Sequence, residues 1–221
     1  MAIKIETYQT KDNLIGKSHW WGFPDLPEGV NFPCRGEKDE DGLEDTLTFI
    51  CQLNLADVKP YDVNNLLPSQ GMLYFFADLD YFLGDVDAEC EGLGFWPTDA
   101  YRVIYAHTDT NLCTHQIRWE DGTSATLPAE AISLKEVSDK TDGHKLLGMP
   151  FFDEIAWEAE GMLSLLQIDE DERWGLRLFD MGNLNFLITP EALAARDFTN
   201  AKLYFHSLEN YLMVAYTPVT E

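Results

Sequence analysis

The sequence predicts an α+β protein that is rich in β-strands, with largely antiparallel sheets and few short helices. Two observations support this prediction. Most apolar segments are short and rich in β-branched and aromatic residues, which is typical of strands. Three short motifs also recur in the same order in the two halves of the chain. We therefore expect a single domain over residues 1–221, built from two pseudo-repeated units at approximately 18–119 and 144–216.

The recurring motifs contain a glutamine, a glycine and a histidine. When the motifs are aligned, Gln52 corresponds to Gln167 and His107 corresponds to His206. Equivalent strand ends account for the paired histidines as simply as a shared site does. In chain order, the motif pairs are 49–54 (FICQLN) with 164–169 (SLLQID), 71–76 (GMLYFF) with 182–187 (GNLNFL), and 103–108 (VIYAHT) with 202–207 (KLYFHS).

Strands are predicted where β-branched and aromatic residues cluster or alternate between turn residues. The first strand is short, because only Ile3, Ile5 and Tyr8 alternate there. The two strongest strands contain the glutamine motifs. In chain order, the predicted strands are 3–8, 47–55, 72–77, 101–107, 114–119, 162–168, 177–179, 183–188, 202–206 and 211–216.

Helices are predicted at only a few places. Three prolines exclude a helix from the aromatic segment 18–33. A proline in the first turn predicts a short helix over 128–137. The tripeptide Thr-Pro-Glu at 189–191 supplies an N-cap, a proline at the first helical position and a negative charge in the first turn. It therefore predicts a helix over 190–195.

The order of these segments resembles the YwqG-like family, a bacterial group that carries a domain of unknown function. The resemblance covers nearly the whole chain, about residues 18–207. It implies a compact, β-rich α+β domain and is nearly silent on activity. The segments that carry it are 18–27 (SHWWGFPDLP), 47–55 (LTFICQLNL), 71–76 (GMLYFF), 146–148 (LLG) and 165–169 (LLQID).

Two turns depart from the pattern of that family. At the entry the family tends to have Ser-Lys-x-Gly-Gly-x-Pro, whereas this chain has His19 in place of the lysine and Trp21 in place of the first glycine. Before the strand of the second half the family often has Trp-Gly-Asp-x-Gly, of which Asp180 and Gly182 are retained. A family-wide ligand role for this second turn is therefore not implied.

The charge of the chain favours basic partners. The net charge is −24, from 39 acidic and 15 basic side chains. Such a field repels phosphate backbones and anionic lipid headgroups, so we expect neither a nucleic acid nor a membrane as partner. A basic protein is the favoured partner, although the acidity also serves solubility alone. Nothing in the sequence indicates an oligomeric state.

The cysteines and the start of the chain predict a cytoplasmic protein. The four cysteines are far apart and form no C-x-x-C pair. The first residues lack a basic region followed by an apolar stretch, and no apolar run is long enough to span a membrane. We therefore expect reduced thiols.

Two glutamines are candidate ligand-binding residues. Gln52 and Gln167 are each flanked by apolar residues in a predicted strand, and a buried amide needs partners for up to four hydrogen bonds. In one interpretation each amide ties a neighbouring loop to the sheet. In the other, Gln52, Gln167, Asp169 and Asp180 together line a ligand site at the junction of the two units.

Trp20 and Trp21 are the candidates for an interaction surface. With the neighbouring prolines they form either an exposed recognition surface or a plug that covers one edge of the sheet. We expect no metal. Cys113 and His115 lack further zinc ligands, and the acidic loop 78–91 lacks the glycine of a calcium-binding loop.

The common catalytic motifs are absent from the sequence. It contains no G-x-S-x-G, no H-E-x-x-H, no P-loop and no dinucleotide-binding glycine pattern, so we expect no cofactor. The favoured interpretation is a non-catalytic binding protein that engages a basic protein partner, with neutralisation of a basic toxin as a special case. The alternative is an enzyme or small-ligand binder with its site at the junction of the two units.

Overall fold

The computed structural model describes residues 1–36, 45–119 and 121–208. Within these residues, strands form one eleven-stranded sheet and two two-stranded sheets. Every strand pairing among them is antiparallel. The predicted β-rich, antiparallel architecture with few short helices is therefore confirmed.

The elements follow one another in the chain as shown here. The strands are β1 (Ala2–Tyr8), β2 (His19–Trp20), β3 (Asp25–Pro27), β4 (Cys34–Arg35), β5 (Asp45–Thr46), β6 (Thr48–Asn54), β7 (Met72–Ala77), β8 (Gly94–Phe95), β9 (Tyr101–Ala106), β10 (Leu112–Thr114), β11 (Glu130–Val137), β12 (Lys145–Leu146), β13 (Leu163–Asp169), β14 (Asn183–Ile188) and β15 (Lys202–His206). The α-helices are α1 (Leu55–Val58), α2 (Asp153–Glu158) and α3 (Pro190–Ala194), and 3-10 helices span Tyr81–Leu83 and Phe198–Asn200.

The large sheet curls over so that its two ends share one core. Its strand order is β8-β15-β14-β13-β12-β1-β11-β2-β6-β7-β9, which separates β7 from β14 by six strands. Nevertheless the rings of Phe75 in β7 and Phe186 in β14 lie 5.2 Å apart between centroids. Strand twist accumulates over so many strands, and burying the apolar inner face favours closure.

Each end of the sheet also has a covered outer face. Every residue of β7 and every residue of β14 is buried, so both faces of these strands are covered. Outside β7, an apolar layer joins Leu26 and Phe32 to Phe76. Outside β14, a smaller layer joins Ile155 of α2 to Leu187. At each end of the curled sheet, the strands therefore lie between the shared inner core and an outer covering layer.

The helix predicted over 128–137 is wrong, because this segment forms β11. It pairs with β1 along the whole of that strand. Ile132 and Leu134 are partly buried and alternate with exposed polar residues, which is the period of a strand. Long-range pairing supplies partners for the backbone and overrides the local signal of the proline.

Other boundaries also differ from the prediction. The predicted strand at 114–119 is only an isolated bridge between Arg118 and Ser124 beyond the end of β10, and residues 177–179 are not a strand. The predicted strand at 211–216 lies outside the described residues. The two-residue strands β2 and β12 were not predicted, because two residues carry no periodicity. The predicted helix near 190 is confirmed as α3, with the Thr189 side chain accepting a hydrogen bond from the nitrogen of Ala192.

Gly182, just before β14, lies where neighbouring backbone segments approach closely. A Cβ atom at Gly182 would lie 2.0 Å from the carbonyl oxygen of Leu178 and 3.0 Å from that of His206. Gly182→Ala should therefore lower the free energy of unfolding by about 2–3 kcal/mol. Gly161→Ala is the matched control, because nothing lies within 4 Å of its Cβ position and only its positive φ is strained, at a cost of about 1 kcal/mol. Urea denaturation of both variants measures the difference, and equal losses would contradict this account.

Candidate functional site

Gln52 fastens the aromatic entry segment to the outer face of β6. Its side chain is fully buried. The Gln52 Oε1 atom accepts a hydrogen bond from the nitrogen of Asp25 at 2.8 Å. Its Nε2 atom donates to the oxygen of Lys17 at 3.0 Å and to Asp25 Oδ2 at 2.9 Å. The amide is therefore satisfied by segments on both sides of β2.

Gln167 makes the same kind of attachment at the other end of the sheet. It is fully buried, and its Oε1 atom accepts from the nitrogen of Phe151 at 2.9 Å. Its Nε2 atom donates to the oxygen of Gly143 at 2.9 Å. These segments flank β12, so the hydrogen bonds of Gln167 involve none of the residues that bind Gln52. The structure therefore does not bring the two amides into a common set of contacts.

Asp169 lies two residues after Gln167 on the same face of β13. Burial and then the nearby charge of Asp142 raise the pKa of Asp169 to about 7. Its Oδ1 atom accepts from the nitrogen of Glu170 at 3.0 Å, and its own nitrogen donates to His144 Nδ1 at 3.0 Å. The carboxyl group therefore belongs to a local acidic turn.

Asp180 lies in the exposed turn before β14. Its backbone nitrogen donates to Ser207 Oγ at 3.2 Å, and its oxygen accepts from the same hydroxyl at 2.9 Å. Its charge contributes to a raised pKa of Glu170, after burial as the first cause. Of the four predicted ligand-binding residues, Gln167 and Asp169 both lie in β13, and Asp180 is close enough to Glu170, the next residue, to affect its pKa. Gln52 forms its hydrogen bonds with other segments.

Of the two interpretations of Trp20 and Trp21, an exposed recognition surface or a plug, the burial of both rings fits the plug. Their exposed fractions are 0% and 1%. Trp174 stacks on Trp20 at 5.5 Å and meets Trp21 edge-on at 5.4 Å. The two rings are therefore packed against the second half of the chain and are not available to a partner in this structure. The exposed tryptophans are Trp119 and Trp157, at 64% and 74%.

Asp25 is a buried carboxylate that the sequence did not single out. Burial opposes its ionisation, but hydrogen bonds involving His19, Thr114, the nitrogen of Gly16 and Gln52 outweigh it and lower the pKa of Asp25 to about 2. Thr114 Oγ1 donates at 2.6 Å and the Gly16 nitrogen at 2.9 Å. All these partners are structural groups of the fold. Asp25 therefore holds the entry segment to the sheet.

A cavity of about 460 Å³ lies between the start of β6, the 3-10 helix after β7, and the hairpin at 115–128. Trp21 lines it, while Trp119 and Ile117 contribute from the hairpin. Its size is that of a site for a small molecule or a few side chains. The cavity shares none of the four ligand-binding residues predicted from the sequence. Trp119 was missed as a site residue because it ends a predicted strand, and nothing in the sequence shows that this segment lines a cavity.

Carboxylates give the cavity its charge. Asp80 and Asp85 both line it. Asp80 Oδ1 accepts a hydrogen bond from Thr48 Oγ1 at 2.8 Å, which fixes its orientation. Within the described part of the chain neither carboxylate forms an ion pair. The cavity therefore presents aromatic surface and free negative charge together.

Arg118 lines the same cavity, but the hairpin engages its guanidinium. Its Nη1 atom donates to the oxygen of Gly122 at 3.0 Å, and its Nε atom donates to Gln116 Oε1 at 3.1 Å. The guanidinium carbon also lies 5.7 Å from the ring centroid of Phe23. These contacts hold Arg118 to the hairpin, and within the described residues it forms no ion pair with Asp80 or Asp85.

A family model described as a domain of unknown function, DUF1963, matches residues 18–206, which is most of the chain. A search of curated proteins finds no match. Among the described residues, no helix has the length and apolar character needed to cross a membrane.

Substitution of the buried amides tests whether they hold the fold together. Gln52→Leu should lower the free energy of unfolding by at least about 2 kcal/mol, because it leaves the Asp25 nitrogen and the Lys17 oxygen without partners. Gln167→Leu should have an effect of similar size. The exposed Gln9→Leu is the control and should change stability little. Thermal and urea denaturation measure the effects, and an unchanged stability of Gln52→Leu would refute the structural role.

Asp169 should make the stability depend on pH. Its pKa is raised to about 7 in the folded protein, so its contribution is complete below the pKa of the unfolded chain. That contribution is lost as the pH rises through about 7. Wild-type melting temperature should therefore fall between pH 5 and pH 8, and Asp169→Asn should reduce this fall.

The exposed Asp12→Asn serves as the control for Asp169→Asn and should leave the pH dependence unchanged. Melting curves across the pH range measure the effect. A carbon NMR titration of the Asp169 carboxyl group checks its assignment. An equal pH dependence in wild type and Asp169→Asn would contradict the prediction.

Proposed function

We propose that this chain, which belongs to the family of DUF1963 domains of unknown function, is a binding protein that holds a basic segment of a protein partner in the cavity beside β6. One observation carries this proposal. The cavity combines the exposed ring of Trp119 with the carboxylates of Asp80 and Asp85, neither of which is in an ion pair among the described residues. Lysine and arginine side chains are attracted to both kinds of group.

The chemistry of the cavity suits a cation better than other groups. A cation over the face of a tryptophan gains about 0.5–1 kcal/mol at an exposed site, and more when it loses water. The hydrogen bond from Thr48 orients Asp80 before a partner arrives, which lowers the entropy lost on binding. A neutral apolar ligand would have to cover both carboxylates without compensating them, and this costs free energy.

The overall charge supports the same kind of partner at longer range. A net charge of −24 attracts a basic protein and raises the rate of encounter at low salt. This long-range term does not select a particular binding site on its own. The cavity supplies the local contacts that would convert encounter into a defined complex.

Two pseudo-repeated units form part of this proposal. Gln52 lies opposite Tyr74 across β6 and β7, and Gln167 lies opposite Asn185 across β13 and β14. Both glutamine strands have an irregularity of register just before the glutamine. These equivalent pairings support a duplication over about 18–119 and 144–216, of which residues 209–216 lie outside the described residues.

The strand pairings shift the alignment of the third motif pair by one residue from the alignment read in the sequence. Met72 pairs with Ala106, whereas Asn183 pairs with His206. Since the motifs at 71–76 and 182–187 correspond, His206 takes the position of Ala106 and not that of His107. The YwqG-like assignment, a bacterial origin and a cytoplasmic location belong to the same proposal and rest on the sequence.

The alternative of a small-ligand site at the junction of the units is favoured by one contact. Trp21 lines the cavity, and its ring meets Trp174 of the second half edge-on. The cavity is therefore close to the junction, although not at the four residues predicted from the sequence. A small cationic ligand and a basic segment would use the same carboxylates. Comparing the affinities of the chain for the two therefore distinguishes the alternatives.

A peptide titration tests the proposed function. Hexa-arginine should bind and quench tryptophan fluorescence, more weakly at about 0.2 M salt than at about 0.02 M. The double variant Asp80→Asn/Asp85→Asn should weaken binding by about tenfold. Asp109→Asn/Glu136→Gln changes the net charge equally at two exposed positions away from the cavity, and it should weaken binding by less than about twofold.

The outcomes separate the alternatives. If the two double variants weaken binding equally, the attraction is a general effect of charge and the cavity is not the site. If hexa-arginine does not bind wild type at low salt, the proposal of a basic partner fails. If free arginine binds as tightly as hexa-arginine and with the same dependence on Asp80 and Asp85, the small-ligand alternative is the correct one.

A further inference from the structure

The outer faces of β7 and β14 differ in chemistry although their registers correspond. On β7 this face carries Met72, Tyr74 and Phe76, which belong to an apolar layer. At the corresponding places on β14 stand Asn183, Asn185 and Leu187. The two asparagines are fully buried. Buried amides in place of apolar side chains require partners, because an unsatisfied buried polar group costs about 1–3 kcal/mol.

A directed chain of hydrogen bonds satisfies most of these amide groups. Ser164 Oγ donates to Asn185 Oδ1 at 2.8 Å. Asn185 Nδ2 then donates to Asn183 Oδ1 at 2.8 Å. The direction of the chain assigns the oxygen of Asn183 as an acceptor. Its Nδ2 atom remains a donor, and it is buried without a hydrogen-bond partner among the protein atoms described.

His206 lies directly opposite Asn183 on β15, and one of its ring nitrogens lacks a hydrogen-bond partner. It is 6% exposed, and its Nε2 atom is buried without a hydrogen-bond partner in the described structure. Burial lowers the pKa of His206, and the facing carboxylate of Glu154 opposes this effect without overcoming it. The ring is therefore neutral near pH 7, and a neutral ring has one nitrogen that accepts a hydrogen bond.

The position of the two groups makes one bridging partner sufficient. Side chains directly opposite each other in an antiparallel pair have Cβ atoms about 4.5–5.5 Å apart and lie on the same face. A group that accepts from one and donates to the other satisfies both. Buried polar groups in native proteins nearly always have partners, and an ordered solvent molecule often supplies them.

We propose that Asn183 and His206 together bind one hydroxyl group, whose oxygen accepts from Asn183 Nδ2 and whose hydrogen is donated to His206 Nε2. The ring of Phe152, just before α2, packs against that of His206 at 4.6 Å between centroids. The hydroxyl belongs either to a buried water or to a small neutral alcohol, and the site is independent of the cavity beside β6.

NMR of the wild-type protein tests the proposal without any substitution. The His206 ring should be the tautomer with hydrogen on Nδ1, and its Nε2 atom should have the nitrogen shift of a hydrogen-bonded acceptor. If water is the occupant, the side-chain amide of Asn183 should show a rotating-frame Overhauser peak to a water of long residence. If an alcohol is the occupant, mass spectrometry should find about one equivalent released on denaturation.

Substitutions then locate the site. His206→Ala introduces the residue of the corresponding position, Ala106, and should abolish the water peak of Asn183 or the released alcohol. Asn183→Met, which matches Met72, removes the amide that reports the water, so its readouts are the released alcohol and the nitrogen shift of His206 Nε2, which should lose the value of a hydrogen-bonded acceptor. Asn64→Met, at an exposed position, should leave them unchanged. Hydrogen on Nε2 of His206 would overturn the proposal, as would the absence of both a water peak and a released alcohol from wild type.

Discussion

The attachment of the outer layers depends on two buried side-chain amides, Gln52 and Gln167. Neither is exposed to solvent, so each must find partners for an acceptor and a donor within the protein. The partners are main-chain groups of the segments that flank the two-residue strands β2 and β12, with the Asp25 carboxylate as an additional acceptor for Gln52. Because these hydrogen bonds fix where the flanking segments leave the sheet, they also fix which surfaces the segments cover.

The inner and outer faces of the sheet are under different constraints. The inner face is shared between the two ends of the sheet, where Phe75 packs on Phe186 and a change of volume on either strand affects the other. Each outer face packs only against its own covering segment. Its chemistry is therefore free to differ, as it does between the aromatic ring of Tyr74 and the amide of Asn185, which lie opposite equivalent glutamines. Functional differences between the halves are accordingly to be sought on the outer faces.

The sequence predicts the parts of the fold that local periodicity determines. The glutamine strands, β7 and β14 follow from short segments rich in apolar residues, and the start of α3 follows from Thr189. It does not predict β11, because the proline at 128 favours a helix and the strand-like alternation is short. Pairing with β1 decides in favour of the strand. The sequence shows that Trp20 lies in a segment rich in aromatic residues, but not whether its ring is buried. Trp174, which stacks on that ring, is distant in sequence. The cavity was missed for the same reason, because three segments far apart in the chain form it.

Net charge alone does not identify a binding surface, and Arg35 shows why. Its guanidinium contacts Asp78 at 2.6 Å and Glu89 at 3.4 Å and also pairs with Glu91, so these acids are partly compensated within the fold. Asp80 and Asp85 differ, since they line a recess and have no such cation among the described residues. Charges of the first kind mainly stabilise the fold, whereas charges of the second kind can still gain a partner. The distribution of unpaired charge, and not its total, is therefore the ground on which we propose the cavity as the place where a basic group would bind.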